Sequence, residues 1–440
     1  MPQVVWPVVP TRTAAGMLAI ARQLDHSQWL DAATLRGQQF RQLAALLAHA
    51  RHASPWYEAR LADLVLESGL DPAAFATLPT LSREELQVDH DAVRCRVVPS
   101  DHGAIGAYAS SGSTGRPVRV LGTRLHDLWS RALLLRDHLW HGRDFSAKLA
   151  VLKTKIKNGT RPNWGAATDG VLNTGPCASM NSVSDVAEQA HWLQGEDPTY
   201  LLSHATNLRA LARHCLAHGL RLPRLREVRS YGEMLASDLR ELCQAAWDTP
   251  LTDSYSAAEI GIIALQCPLN DHYHVQSEHV LVEILDAADR ACAAGEWGRV
   301  VVTPLHNFAM PLVRYELGDY AEVGAPCACG RGLPVLNRIL GRRRNMLRVP
   351  DGSLHWPSLP ARIWDWASPI RQFQVVQTTL TTITVRLVAE RPLTQNEEDA
   401  LGRRLDERLG WPFTYRFEYP QTIAAGPGFE DFQCLIDDDR

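Results

Sequence analysis

Between Leu149 and Tyr255 short apolar runs alternate with longer amphipathic ones, and few topologies accept that pattern. Leu149–Lys153, Tyr200–Ser203, Glu227–Tyr231 and Leu251–Tyr255 read as strands; Val183–Leu193, Ala205–His218 and Leu235–Trp247 read as helices. Strand–helix–strand repeats predict right-handed crossovers and a largely parallel sheet with helices on both faces. In such sheets ligands bind beyond the carboxyl ends of the strands. The stretch Asn158–Ala178, rich in Gly, Asn, Pro and Thr, reads as a long loop.

The flanking segments extend this frame. Leu24–Leu64 is helical in pattern, with Leu43, Leu46, Leu47 and Ala50 on one face and an interruption at Pro55 and Trp56. Thr80, Ser82, Glu84 and Glu85 mark a helix start. Leu125–His141 is an amphipathic helix, and Val280–Leu285 and Gly298–Pro304 are strands of a β-rich section. A boundary falls near Gly341–Asn345. Beyond it Gln372–Thr378 and Thr382–Glu390 alternate as a hairpin, Thr394–Leu409 is a charged helix, and Tyr415–Tyr419 is another strand. The 440 residues therefore divide into more than one domain. The expected architecture is α/β. A large domain spans 1–341, with a helical lead-in over about the first 90 residues; a small α+β domain spans 342–440.

Charge and composition exclude some classes. A net charge of −4 argues against non-specific nucleic-acid binding. No apolar run is long enough for a membrane span, and the N-terminal residues do not form a signal peptide. Nine cysteines in a chain of this length point to reduced thiols and a cytoplasmic location.

Two stretches carry chemistry on their own. In Tyr108–Thr123, Ser110, Ser111, Gly112, Ser113, Thr114 and Gly115 give a turn dense in backbone N–H and hydroxyl donors, before a strand at Val118–Leu121. That is an anion cradle, although it lacks the lysine of a Walker loop. Cys267, His274, Cys327 and Cys329 form a Cys₃His set suited to structural zinc, with His272 competing for the place of His274.

These residues occur in a recognisable order. The Ser/Gly loop is followed by Ser230-Tyr231-Gly232-Glu233, then by Asp253-Ser254-Tyr255-Ser256-Ala257-Ala258-Glu259. Next come Tyr315-Glu316-Leu317-Gly318-Asp319 and Arg338-Ile339-Leu340-Gly341-Arg342-Arg343-Arg344-Asn345. In that order, and with its Ser54–Leu61 lead-in, the chain resembles the acyl-adenylate-forming superfamily of acyl-CoA synthetases, adenylation domains and luciferases. It is most similar to the phenylacetate–CoA ligase-like branch. The resemblance implies ATP-dependent activation of a carboxylic acid, in that branch an aryl acid, as its adenylate, with transfer to CoA, a carrier-protein thiol or an amine. It implies that residues 110–115 hold the ATP phosphates, with Thr114, Glu259 and Arg338 acting at the reacting centre. Gly232, Glu233, Ser254 and Tyr255 would line the adenine, Glu259 would hold Mg²⁺, and Asp319 and Arg338 would meet the ribose or phosphates. It further implies a structural zinc, a small domain that swings about Asn345, an acyl carrier protein as a possible acceptor, and a homodimer.

The chain departs from the pattern in four places. Val118 stands where a lysine usually follows the loop, Ser256 replaces a glycine, and Glu316 replaces an arginine. The fourth departure is the largest. The family's small domain ends in a lysine that reaches the reacting phosphate, whereas the lysines here are Lys148, Lys153, Lys155 and Lys157 alone. Aligning on Gly428 puts Phe429 at the lysine site; aligning the following apolar residues puts Asp431 there. Three readings stay open: slow adenylation aided by Arg342, Arg343 or Arg344; use of a preformed adenylate or unusual acid; or binding without chemistry. Redirection to amide or nitrogen–nitrogen bond formation is a further alternative.

Overall fold

The structure is a computed structural model that describes residues 10–66, 69–109, 118–357, 359, 363–364, 370–423 and 430–436. The lead-in folds as helices Arg12–Ser27, Ala32–Ala53 and Pro55–Arg60. Thr11 and Asp31 cap the first two by accepting from the backbone N–H groups of Ala14 and Thr34. Pro55 is the first residue of the third, where its missing N–H costs nothing. The apolar face Leu43, Leu47 and Ala50 packs into one core with Phe75, Val300, Val302 and Tyr315. The lead-in therefore belongs to the β-rich section rather than standing apart.

Twelve strands among the described residues form one mixed sheet. Its parallel block runs Cys177–Asn181, Leu149–Lys153, Tyr200–Ser203, Glu227–Tyr231 and Leu251–Ala257. The alternation between residues 149 and 255 thus gives the parallel sheet it predicts, but that block is five of the twelve strands. Gly261–Gln266, Tyr273–Val275, Val335–Arg342, Tyr315–Val323, Trp297–Pro304 and Val280–Leu285 continue the sheet antiparallel. The expected loop Asn158–Ala178 contains an edge strand, Gly159–Arg161, antiparallel to the start of Cys177–Asn181. Both strands are short, and their pairing closes over a Gly/Pro-rich segment, so no local periodicity announces them. Helices Val186–Glu196, Ala205–His218 and Leu239–Trp247 bury Leu193, Leu208, Leu211 and Trp247 against the parallel block.

From Leu347 onward the chain builds its own core. Strands Thr414–Glu418, Thr382–Ala389, Ile370–Thr379 and Phe432–Cys434 form a four-stranded sheet under helix Gln395–Leu409. Trp364 stacks on Phe373 with ring centroids 4.0 Å apart. No helix among the described residues is long and apolar enough to cross a membrane.

Candidate active site

The strand Leu251–Ala257 sits in mid-sheet and delivers the central residues. Asp253 and Tyr255 alternate inward along it. Asp253 accepts from Tyr273 Oη at 2.7 Å and from Ser230 Oγ, so its carboxyl ties three strands together. Burial raises that carboxyl above its ordinary value. Tyr255 Oη donates to Asp319 Oδ2 at 2.9 Å. Burial, with Asp319 beside it, pushes the Tyr255 phenol well up, so it stays a donor. The residues expected at adenine and ribose are thus brought into contact, although 64 positions separate them.

Asp319 follows Gly318, whose φ of +81° is favourable for glycine and carries the strand through a bulge. Across the ladder Asp319 lies opposite Arg342, with Arg342 Nε 3.7 Å from its carboxylate. Arg338, also expected at the ribose or phosphates, is not the partner of Asp319. It faces Glu322, donates to it at 2.6 and 2.8 Å, and is largely exposed. The physical reason is register: the ladder sets Arg342 opposite Asp319, and an irregularity between Tyr320 and Ala321 sets Arg338 opposite Glu322. Glu316, in the place of an arginine, accepts from Thr80 Oγ1 at 2.6 Å and lies 3.4 Å from Arg299, so it is held at the lead-in.

Glu259 is buried, and its Oε1 accepts from Arg83 at 3.1 Å. Arg83 is the first residue of helix Arg83–Val88, whose Ser82–Glu85 capping box is complete. The sequence signals that helix start. It does not signal the arginine, because the contact spans 176 positions. Tyr315 lies beside both groups, and burial with the Glu259 carboxylate raises its phenol.

Gly232 and Glu233 follow strand Glu227–Tyr231. Gly232 takes a φ of +70°, turning the chain toward His204. Glu233 Oε2 accepts from Thr206 N at 2.9 Å and Thr206 Oγ1 at 2.8 Å, holding the first turn of helix Ala205–His218. Ser254 Oγ donates to the Ser230 carbonyl at 3.4 Å. Asn345 is buried, and neither end of its amide has a hydrogen-bond partner among the described residues.

Ser110, Ser111, Gly112, Ser113, Thr114 and Gly115 lie outside the described residues, as does Phe429. The strands that flank residues 110–117 do pair, Ile105–Ala109 against Arg119–Thr123, with Ala109 opposite Arg119. Asp431 is described. It forms an ion pair with Arg209 on helix Ala205–His218, and Arg209 also holds Asp238 at 2.9 Å. A side chain from the small unit thus reaches the large one at the position one alignment assigns to the missing lysine.

A second cluster lies apart from these residues. Cys267, His274, Cys327 and Cys329 place one ligand atom each within 4.8 Å of one another. Cys267 Sγ and Cys327 Sγ are 3.9 Å apart, and Cys329 Sγ is 3.4 Å from His274 Nε2. His274 Nδ1 faces the Leu333 carbonyl at 3.4 Å, which leaves Nε2 for a metal. His272 is not in the set. Near this cluster, a cleft of about 1210 Å³ opens between Tyr200, Glu227, Leu251 and Asn270. It lies at the amino ends of the parallel strands, and none of the nucleotide candidates lines it.

No family model matches the chain. The phenylacetate-coenzyme A ligase of Thermus thermophilus is 27% identical over 363 residues, 78% of each chain. Among solved structures, 2-hydroxyisobutyryl-CoA ligase in the postadenylation state superposes with a TM-score of 0.72, at 17% identity, over 94% of this chain and 92% of that one. This is the adenylate-forming ligase fold. An open conformation of the same ligase, with its acyl-adenylate and CoA, gives a TM-score of 0.62 at 19% identity over 93% of both chains.

Proposed function

We propose that this chain is an acyl-adenylate-forming CoA ligase: it joins a carboxylic acid to the AMP portion of ATP, releases pyrophosphate, and passes the acyl group to the thiol of CoA. The observation that carries this reading is the contiguous set Tyr255, Asp319 and Arg342, with Glu259 near it, at the carboxyl side of the sheet. Tyr255 would present its ring to adenine, and Asp319 would accept from the ribose hydroxyls. Arg342, poised at Asp319, would meet the charge that develops at the phosphate. Arg83 takes one oxygen of Glu259, leaving the other for a hard dication such as Mg²⁺, which accepts one or two carboxylates beside phosphate oxygens. That ion would shield the phosphates.

The Cys₃His set fits zinc in number, donor type and spacing, and its buried His274 and Cys267 suit a closed structural site. We place the division between the two domains at residues 341 and 342. The phenylacetate ligase relative favours an aryl acid. The lack of any lysine beyond Lys157 favours a second reading, a protein that binds nucleotide or acyl-adenylate with little activation.

Pyrophosphate exchange with aryl and aliphatic acids separates the two. Exchange above background, with AMP and acyl-CoA formed when CoA is added, supports the ligase. Binding of ATP by calorimetry with no exchange from any acid overturns it in favour of the second reading. A carrier-protein thiol in place of CoA tests the other acceptor.

A further inference from the structure

Lys153 ends strand Leu149–Lys153, at the carboxyl edge of the parallel block. Its side chain leans across strand Tyr200–Ser203 onto the Tyr231 ring, with Nζ 4.3 Å from the centroid. Tyr231 Oη lies 3.2 Å from His204 Nε2, and the two rings are 4.5 Å apart. Among the described residues no carboxylate lies within ion-pair range of the Lys153 ammonium. Glu233 is engaged by Thr206 and stands 4.0 Å from His204. The other charges that act on Lys153 include Arg229, bound to Asp137, and Arg161. Burial and these arginines lower the lysine's affinity for its proton. A largely buried ammonium is costly unless an anion meets it, and the protein's described residues supply none.

We propose that Lys153 receives a second anionic group of the substrate, so that the acid activated here carries a carboxylate or ionised hydroxyl besides the carboxylate that reacts. The proposal rests on the ligase reading. Tyr231 is on the strand next to Leu251–Ala257, the strand that carries Tyr255. Tyr231 pairs with Ser254 across that ladder, so its ring and the ammonium on it share a sheet face with Ser254, one of the residues expected at the nucleotide. Tyr231 and His204 add polar atoms beside the ammonium. Lys153 is then a specificity residue: it selects the acid and leaves the acyl transfer to others.

The experiment is pyrophosphate exchange with matched pairs of acids: phenylacetate and 4-carboxyphenylacetate, benzoate and terephthalate, butyrate and glutarate. The wild type is expected to prefer the second member of a pair. Lys153→Met lowers kcat/KM for that member by on the order of 10²-fold, mainly through KM, and leaves the monoacid unchanged. Lys153→Arg keeps the preference, and calorimetry with ATP shows that both variants retain the nucleotide site. A wild type that prefers the monoacids overturns the proposal. So does a Lys153→Met variant that loses kcat equally on both members, which assigns the ammonium to the reacting carboxylate. Exchange with no acid of either kind instead defeats the ligase reading beneath it.

Discussion

At the scale of single residues, two arginines four positions apart divide in role because of strand register. Arg342 faces Asp319 and Arg338 faces Glu322. Arg342→Ala is expected to lower adenylation by ~10²–10³-fold, the usual cost of one preorganised charge at the reacting centre. Arg338→Ala removes an exposed pair worth about 0–1 kcal/mol and leaves exchange near wild type. Steady-state exchange on the two variants decides the matter, and the reverse ranking refutes the assignment. Tyr255, Asp319 and Glu259 were legible in the sequence because each sits in a short ordered motif. Arg83 carries no such signal, and Arg342 is legible only as one of three adjacent arginines, because their contacts depend on the way distant segments meet. Glu316, a departure from the motif in sequence, is held away from Asp319 by Thr80.

At the scale of elements, helix Gln395–Leu409 begins with a capping box between Thr394 and Glu397. The Arg391 guanidinium, with Thr394, holds the Glu397 carboxyl down from 4.5 to about 2. A depressed carboxyl stabilises the fold above its ordinary value and loses that contribution as pH falls toward the lowered one. The protection of first-turn amides against exchange, taken relative to an unstructured peptide at each pH, is therefore expected to fall from about pH 4.5 to 2, and Glu397→Gln to flatten that dependence. A profile unchanged by the substitution argues against the cap.

The Cys327–Gly332 loop is a second such element. Gly332 has no room for a side chain, since a Cβ would lie 1.8 Å from the Leu30 carbonyl oxygen, and Gly332 N donates to Gln28 O at 2.9 Å. The loop is thereby pressed onto the turn between the first two helices. Elemental analysis is expected to find one zinc per chain. Chelation or Cys329→Ser should lower Tm by several degrees while ATP binding persists, because metal binding to such a site contributes folding free energy. Equal Tm with and without metal refutes it. The Cys/His spacing and the preference for His274, which stands before the Val275 strand, were legible in the sequence, and the fold gathers the same four side chains.

At the scale of the whole molecule, the tie between Arg209 and Asp431 joins the small unit to helix Ala205–His218. Arg209 also packs its guanidinium 5.2 Å from the Phe373 ring, so two small-unit side chains converge on it. A double-mutant cycle of Arg209→Ala and Asp431→Ala should give a coupling of roughly 1–3 kcal/mol in unfolding, as for contacting charged residues. Additive effects would mean that the contact does not form in solution. Asp431→Lys would set a lysine against Arg209, so in this arrangement it is expected not to raise adenylation.

The sequence by itself determined the α/β class, the parallel block, the small α+β unit and the order of the candidate motifs. These follow from hydrophobic period and from short motifs, which are properties of neighbouring residues. Tertiary structure alone decided that Arg342 meets Asp319, that Arg83 engages Glu259, that Lys153 lies on Tyr231, and that Asp431 clasps Arg209. Each of those contacts depends on strand order, ladder register or the packing of distant segments, and none is written into a local stretch of chain.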